Sequence, residues 1–214
     1  MRRTLLLAAL VGLAACASPT PTPKPACPTQ GPTAVDAQAT LADAGRAVVD
    51  TNKGAFTIEL YPRQAPLASA NFVALARCGF YDGISFHRVL PDFVAQAGDP
   101  QTRQNRGDFQ GLGSGGPGYE FEIEPPAEGL TYDPYTVAMA NDTRTNGSQF
   151  FIDLADLNGR LERLYTIFGT VIEGSDVVDA IGKVPTNGPA GLPLDPVIIN
   201  SIRIEANPAS SPSV

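Results

Sequence analysis

Nine short segments of the chain have the composition and spacing of β-strands. They are rich in β-branched and aromatic residues, and Gly, Pro, Asn or Asp residues separate them, as expected for strands joined by tight turns. The segments are RAVVDT, GAFTIELY, ISFHRV, FVAQAG, YEFEIE, TVAMAN, SQFFID, YTIFGTVI and VIINSIRIE. A series of this kind predicts a mainly β protein whose strands form a barrel or a sandwich.

Two other segments have the periodicity of helices. In PLASANFVALARCG, apolar residues recur at the spacing of one helical face, and Gly79 is the expected end of the helix. In GSDVVDAIGKV, Ser175 is the expected N-cap of a helix with an apolar face. We expect both helices to cover the ends of the β structure.

The first 15 residues have the organisation of a bacterial export signal. MRRT is basic, and the apolar run LLLAALVGLAA of 11 residues is too short to span a membrane as a helix. The sequence LAAC, which ends at Cys16, resembles a lipobox. The resemblance implies cleavage before Cys16 and acylation of that residue, and it predicts a lipid-anchored protein on the extracytoplasmic face of the bacterial cell envelope. The alternative is an ordinary signal peptide that is cleaved without lipidation.

Composition predicts the domain organisation of the mature chain. Residues 16–44 are predicted to form a tether, because Pro recurs at positions 19, 21, 23, 25, 28 and 32. Residues 45–206 are predicted to form one domain and residues 207–214 a flexible tail. The net charge of −7 becomes −9 when Arg2 and Arg3 are removed, and no Lys/Arg cluster remains, so nucleic acid is not an expected partner.

Two cysteines remain besides Cys16. Cys27 lies in the predicted tether and Cys78 at the end of the first predicted helix. An oxidising compartment would permit a disulfide between them. The simpler interpretation, which we prefer from the sequence, is that Cys78 is a small buried apolar residue and that Cys27 is free.

The inventory of reactive residues excludes several classes of enzyme. The chain has one histidine, His87, and lacks HExxH, CxxC and paired-His patterns, so we expect neither a metal nor a cofactor. It has no GxSxG motif. The glycine-rich sequence GLGSGGPG lacks the Lys-Ser/Thr of a phosphate-binding loop, and we interpret it as a flexible surface loop.

Four polar residues stand inside or beside apolar, strand-like segments. They are Arg88, Gln96, Asn141 and Gln149. Each alone would be expected to face solvent, but together with neighbouring aromatic residues they indicate an apolar pocket with a few polar groups, the usual form of a ligand site.

Three motifs that contain these residues resemble those of the cyclophilin family of peptidyl-prolyl cis-trans isomerases. They are FHRVLPDFVAQAGD, AMANDTRTNGSQFFI and YTIFGTV, and the similarity extends over roughly 47–204. The resemblance implies a closed eight-stranded antiparallel β-barrel capped by two α-helices. It also implies isomerase activity on proline-containing polypeptides, without a cofactor, in a protein that is a monomer by family default.

The resemblance assigns a role to individual positions. Arg88 corresponds to the arginine that faces the proline imide nitrogen. The other positions implied to bind substrate are Phe93, Val94, Phe151 and Leu161 in the proline pocket, Gln96 and Asn141 on the peptide backbone, Ala140 and Gln149 in the groove, and Tyr165 at the pocket edge. Because DLADLNGRLERLY differs in length from the family, Leu157 and Leu164 are alternatives to Leu161.

The chain departs from the family at two pocket positions. Val94 replaces a frequent methionine, and Arg160 lies where many eukaryotic members have tryptophan. An indole offers a hydrogen-bond donor and a large contact area. We therefore expect cyclosporin to bind only weakly.

The reaction explains why a guanidinium would be needed in an apolar pocket. Rotation about an X–Pro amide has a barrier of roughly 18–20 kcal/mol, and a donor beside the nitrogen stabilises the twisted transition state. Retention of the site residues favours an isomerase that acts on exported proteins. The alternatives are a non-catalytic proline-binding or chaperone module that uses the same groove, and a structural envelope protein with a decayed site.

Overall fold

The computed structural model of the chain describes residues 23–104, 111–142 and 144–206. The predictions for the signal peptide, for lipidation of Cys16 and for the tail at 207–214 concern residues outside these ranges. Within these ranges, no helix has the length and apolar character needed to cross a membrane.

The described residues form a mainly β structure with three α-helices. The helices are α1 (Ala34–Leu41), α2 (Pro66–Arg77) and α3 (Ser175–Gly182). The strands are β1 (Arg46–Thr51), β2 (Gly54–Leu60), β3 (Ser85–Phe86), β4 (Arg88–Leu90), β5 (Val94–Ala97), β6 (Phe121–Glu122), β7 (Thr136–Asn141), β8 (Thr145–Asp153), β9 (Ile167–Glu173), β10 (Thr186–Asn187), β11 (Leu192–Pro193) and β12 (Val197–Glu205).

Antiparallel pairing nearly closes the main sheet into a barrel. The strands follow the order β3-β12-β1-β2-β9-β7-β8-β5-β4, and β6 pairs with β8. The two ends of this order, β3 and β4, are separated in the chain only by His87, so residues 85–90 connect both edges of the sheet. When this segment is counted as one strand, the described residues form a ring of eight strands, and β6 is an additional short strand on β8. The predicted antiparallel barrel is therefore confirmed, with a slightly different strand count.

The barrel is filled by the apolar faces of its strands. In β2, Phe56, Ile58 and Leu60 are buried, in agreement with the alternation in the sequence. Helix α2 covers the barrel and contributes Phe72, whose ring lies 5.5 Å from that of Phe150 in an edge-to-face arrangement. Burial of one such aromatic side chain stabilises the fold by roughly 1.5–3 kcal/mol.

Helices α2 and α3 confirm the two predicted helices, with one correction. The N-cap of α3 is Gly174 and not Ser175, which is the first helical residue. Gly174 has φ +74, and a Cβ at this position would lie 2.5 Å from the backbone oxygen of Ala55. The close approach to β2 therefore requires glycine at the cap, and the serine is displaced by one position.

Helix α1 lies within the predicted tether and was not expected from the sequence. Its start is a capping box, in which the Thr33 hydroxyl accepts from the Asp36 N–H and the Asp36 carboxylate accepts from the Thr33 N–H, both at 3.2 Å. The helix packs on α2 and buries Ala37. Arg77 of α2 donates to the backbone oxygen of Thr40 at 2.9 Å. The proline-rich composition around this segment obscured a short helix that has its own cap.

Cys27 and Cys78 form a disulfide, with their Cα atoms 5.1 Å apart. The interpretation of Cys27 as a free thiol and of Cys78 as a simple buried apolar residue is therefore wrong. Cys78 is the C-cap of α2 and is only partly buried, so its sulfur can be reached by the arm that precedes α1. Closing a loop with a sequence separation of 51 residues stabilises the fold by about 4 kcal/mol in the chain-entropy model.

Candidate active site

Four adjacent strands place a row of side chains on one face of the sheet. Arg88 in β4 is paired with Gln96 in β5, Gln96 with Phe151 in β8, and Phe151 with Ala138 in β7. Residues that are directly paired across strands project to the same side of a sheet. The register therefore brings a cation, an amide and an aromatic ring into one line.

An apolar cluster separate from the barrel core surrounds this row; we call it the pocket cluster. Its buried members are Val94, Tyr132, Ala138, Phe151, Leu157 and Ile167, and its partly buried members are Tyr61, Phe93, Leu130, Ala140, Ala155, Leu161 and Tyr165. The rings of Phe151 and Tyr165 lie 5.4 Å apart in an edge-to-face arrangement. The structure thus brings together the residues predicted to form the proline pocket, and their roles toward substrate stay predictions.

Three leucines were alternatives for one wall of this pocket. Leu157 is fully buried inside the pocket cluster, whereas Leu161 is partly buried at its surface. Leu164 is 37% exposed and does not belong to the cluster. A residue that lines the pocket must be accessible to substrate and must be held in place by buried neighbours. Leu161 meets both conditions, because it is only partly buried and lies in the same cluster as the buried Leu157.

The guanidinium of Arg88 lies beside the Phe93 ring. Its Cζ atom is 5.6 Å from the ring centroid, within the range of a cation–π contact. Arg160 approaches the same ring, with its Cζ at 5.4 Å, and donates to the backbone oxygen of Asp92 at 3.0 Å. Burial lowers the pKa of Arg88 and Tyr165 opposes this shift, but an arginine remains protonated in proteins. Two cations therefore border the Phe93 ring.

The predicted amide side chains are fixed by hydrogen bonds. Gln96 Nε2 donates to Gln149 Oε1 at 2.9 Å. Asn141 Nδ2 donates to the backbone oxygen of Leu164 at 3.0 Å. Gln96, Ala140, Asn141 and Gln149 help to line a groove of about 830 Å³. This groove adjoins the pocket cluster at Ala140, which belongs to both.

The glycine-rich segment forms another wall of this groove. Gln149 Nε2 donates to the backbone oxygens of Gly113 and Gly115 at 2.9 and 2.8 Å, and the buried Asp99 carboxylate accepts from their N–H groups. The sequence GLGSGGPG lies in a loop at the surface, in agreement with its interpretation as a surface loop, but the backbone groups of Gly113 and Gly115 are also the partners of buried polar side chains. Pairing a buried polar group in this way avoids a cost of about 1–3 kcal/mol.

His87 interrupts the strand between β3 and β4 and is only 2% exposed. Burial lowers the pKa of its imidazole to about 4; Asp99 opposes this shift and Arg88 adds to it. The ring is therefore neutral at pH 7. Among the residues that the structure describes, no group of three or more His, Cys, Asp or Glu side chains is arranged to hold a metal ion. The site can bind and polarise a ligand, but it offers no evident nucleophile.

Two acidic residues near the site were missed from the sequence. Asp153 is fully buried, and its carboxyl oxygens have no hydrogen-bond partner among the described residues. It is paired with Val94, two residues after Phe151, so the alternation in SQFFID already placed it on the pocket face. Asp99 has no comparable sequence signal, because its partners Gly113 and Gly115 are 14 and 16 residues further along the chain.

Relatives with known names are similar in sequence to most of this chain. The family model described as cyclophilin type peptidyl-prolyl cis-trans isomerase/CLD matches residues 46–204. The peptidyl-prolyl cis-trans isomerase A of Mycobacterium tuberculosis is 44% identical over 177 residues, which cover 74% of this chain and 91% of the relative. Isomerase B of Streptomyces anulatus is 41% identical over 178 residues, covering 74% and 95%.

Solved structures share the fold. A cyclophilin-type peptidyl-prolyl cis-trans isomerase of Cryptosporidium parvum has a TM-score of 0.67 and 34% identity, covering 77% of this chain and 99% of its own. The same protein crystallised in the presence of the dipeptide Ala-Pro has a TM-score of 0.66, with 34% identity and coverage of 76% and 99%. On the evidence of barrel, site and relatives, this chain belongs to the cyclophilin-type peptidyl-prolyl cis-trans isomerase family.

Proposed function

We propose that this prolyl isomerase accelerates X–Pro rotation by directing the Arg88 guanidinium at the nitrogen of a proline held in the pocket cluster. The observation that carries the proposal is the position of Arg88, in line with Gln96 and Phe151 and beside the Phe93 ring. In this arrangement a permanent cation lies at the edge of the apolar pocket cluster.

Rotation about the amide needs neither a nucleophile nor a cofactor. The barrier of roughly 18–20 kcal/mol comes from conjugation between the nitrogen lone pair and the carbonyl. When the bond twists, the lone pair localises on nitrogen, and a guanidinium donor binds this state better than the planar one. Phe93, Phe151 and Leu161 would hold the ring while the preceding carbonyl turns.

The amide side chains would hold the peptide on both sides of the bond. Gln96 and Asn141 line the groove that adjoins the pocket cluster at Ala140, and an extended peptide would pass along this groove. The direct test is whether the full chain accelerates cis–trans exchange of an Ala-Pro peptide. A non-catalytic proline-binding module would bind the peptide without accelerating exchange.

We propose further that the enzyme is exported and anchored by lipid at Cys16, where it would assist the folding of exported proteins. The sequence LAAC after an apolar run supports the anchor. The disulfide between Cys27 and Cys78 supports an extracytoplasmic location, because such bonds form and persist in oxidising compartments. The residues between Cys16 and Cys27 would then connect the membrane to the folded domain.

The lipid anchor predicts a specific effect of one substitution. In cells that produce the full chain, Cys16→Ser is expected to abolish incorporation of labelled fatty acid and to leave either an uncleaved or a soluble product. Cys27→Ser is the matched control, because it removes the disulfide and leaves the acylated residue in place. Label on the Cys16→Ser protein, or none on the parent chain, would contradict the proposal.

Arg160 predicts weak inhibition by cyclosporin. Its guanidinium lies on Phe93 and donates to Asp92, and it lacks the broad apolar surface of an indole. We expect Arg160→Trp to lower the inhibition constant by about tenfold or more, because an aromatic contact with a hydrogen bond is worth about 1.4 kcal/mol or more. The constants are compared in the same isomerase assay. Nanomolar inhibition of the parent chain would contradict this prediction.

A further inference from the structure

We propose that Asp99 is a positioning residue of the isomerase. By holding the glycine-rich segment Gly113–Gly115, it fixes the orientation of Gln149 and, through Gln149, that of Gln96. The inference rests on the proposed function in one respect: it requires that Gln96 binds the backbone of the substrate peptide. Asp99 itself lies beneath the groove and would not touch substrate.

Asp99 is fully buried and accepts three backbone hydrogen bonds. Its Oδ1 accepts from the Gln101 N–H at 2.8 Å, and its Oδ2 accepts from the N–H groups of Gly113 at 2.6 Å and Gly115 at 3.2 Å. The first bond is local, but the other two join the end of β5 to a segment much further along the chain. A buried carboxylate with such partners makes a strong link, because hydrogen bonds to a charged acceptor are stronger than neutral ones.

The glycine-rich segment leaves room for this carboxylate. A Cβ on Gly115 would lie 2.1 Å from Asp99 Oδ1, closer than any real contact. Only glycine therefore allows the segment to approach Asp99 as it does. The contact can accordingly be broken from either side, by changing the acid or by adding one methyl group to Gly115.

The same two glycines bind the groove residue Gln149. Their N–H groups donate to Asp99, and their carbonyl oxygens accept from Gln149 Nε2 at 2.9 and 2.8 Å. Two carbonyl acceptors can be satisfied only by the NH₂ end of a glutamine amide. The segment that Asp99 holds therefore determines which way the Gln149 amide points.

The orientation of Gln149 determines that of Gln96. With its NH₂ group on the segment, Gln149 presents Oε1, which accepts from Gln96 Nε2 at 2.9 Å. Gln96 must then use its NH₂ group for this bond, which turns its own Oε1 toward an N–H donor of a bound peptide. A continuous series of hydrogen bonds thus runs from the buried Asp99 through Gly113–Gly115 and Gln149 to Gln96, which is predicted to bind substrate.

Loss of this series is expected to weaken peptide binding more than turnover. In Asp99→Asn, the side chain has one acceptor oxygen for three N–H donors, so part of the network is lost. Gln149 and Gln96 can then adopt either amide orientation, whereas Arg88 and the pocket cluster stay in place. We expect KM to rise about tenfold, the equivalent of one hydrogen bond, and kcat to change by about twofold or less.

The experiment compares the full chain with Asp99→Asn, Gly115→Ala and the double variant, using exchange kinetics of an Ala-Pro peptide. Both single variants should raise KM by about tenfold, and the double variant by about the same factor, because the two changes break one contact. The matched control is Asp36→Asn, which also removes a carboxylate that accepts a backbone N–H, but in α1 and outside this network. Its KM should equal that of the parent.

A second readout separates positioning from a merely structural role. The side-chain amide resonances of Gln96 and Gln149 should each move in Asp99→Asn and Gly115→Ala and stay in place in Asp36→Asn. A lowered melting temperature with unchanged KM and unchanged amide resonances would overturn the inference, as would additive effects on KM. If Asp99→Asn does not fold, the KM and the amide resonances of Gly115→Ala alone test the inference. The amide resonances are recorded without turnover, so they test the positioning by Asp99 even if the parent chain is inactive. An inactive parent chain would contradict the proposed function instead.

Discussion

Replacing Asp153 by Asn is expected to raise the free energy of unfolding at pH 7 by about 2–4 kcal/mol. Asp153 lies on the pocket face of β8, fully buried, and its carboxyl oxygens have no hydrogen-bond partner among the described residues. Burial raises the pKa of this carboxyl to about 8, and the neighbouring Asp133 adds to the shift. Asn has a similar shape and never carries the buried charge.

The sign of the effect follows from proton binding. In the unfolded chain the pKa of Asp153 returns to its ordinary value of 3.8, so between about pH 4 and pH 8 the folded state holds a proton that the unfolded state has lost. The stabilising contribution of the protonated group is full below the unfolded pKa and is lost as the pH rises to the folded pKa. The gain from Asp153→Asn should therefore be small at pH 5 and largest near pH 8.

Denaturant unfolding at pH 5 and pH 8 checks this prediction. The exposed Asp195 provides the matched control, since Asp195→Asn removes the same charge from the surface. The parent and the control should lose stability together as the pH rises, whereas Asp153→Asn should lose much less. Parallel pH dependence in all three proteins would show that Asp153 is ionised and stabilised in the folded state.

Replacing Arg88 by Ala is expected to lower kcat/KM by about 10²–10³-fold, as for loss of one donor to a transition state. The guanidinium is the cation of the row that contains Gln96 and Phe151, and in the proposed mechanism its bond to nitrogen forms fully only when the amide twists. The fold should survive, because Arg88 is only partly buried and belongs to the edge of the pocket cluster. Peptide binding should weaken less than turnover, because the aromatic and amide residues remain.

Two further variants separate position from charge. Arg88→Lys keeps the charge but lacks the planar fork of donors, and we expect it to remain poor. Arg160→Ala removes the other cation from the Phe93 ring and should reduce kcat/KM by less than about tenfold, because Arg160 is outside the row of Arg88, Gln96 and Phe151. Equal losses in Arg88→Ala and Arg160→Ala would indicate a general effect of positive charge.

The barrel could be predicted because strands such as β2 alternate apolar and polar residues. In β2 the alternation of Phe56, Ile58 and Leu60 decides which side chains enter the core, and short turns limit how the strands connect. The break at His87, which divides one predicted strand into β3 and β4, could not be predicted, because the burial of a histidine depends on neighbours from distant segments.

The candidate site could be predicted where its residues lie in strands. Arg88, Gln96 and Phe151 are placed in line by strand register, and the motifs that contain them are specific. The Asp99 network could not be predicted in this way, since it depends on how a loop folds back over the sheet. The same limit applies to the disulfide, because the return of Cys27 to the end of α2 is a tertiary contact without a local pattern.

The measurement that tests the central claim most directly is NMR exchange spectroscopy of an Ala-Pro peptide with catalytic amounts of the full chain or of Arg88→Ala. The parent chain should transfer magnetisation between the cis and trans signals within seconds, whereas the uncatalysed reaction takes tens to hundreds of seconds. Arg88→Ala should still shift the peptide signals on binding, but its catalysed contribution to exchange should fall by about 10²–10³-fold, which leaves exchange close to the uncatalysed rate. A folded Arg88→Ala protein that exchanges the peptide at the parent rate would contradict the account.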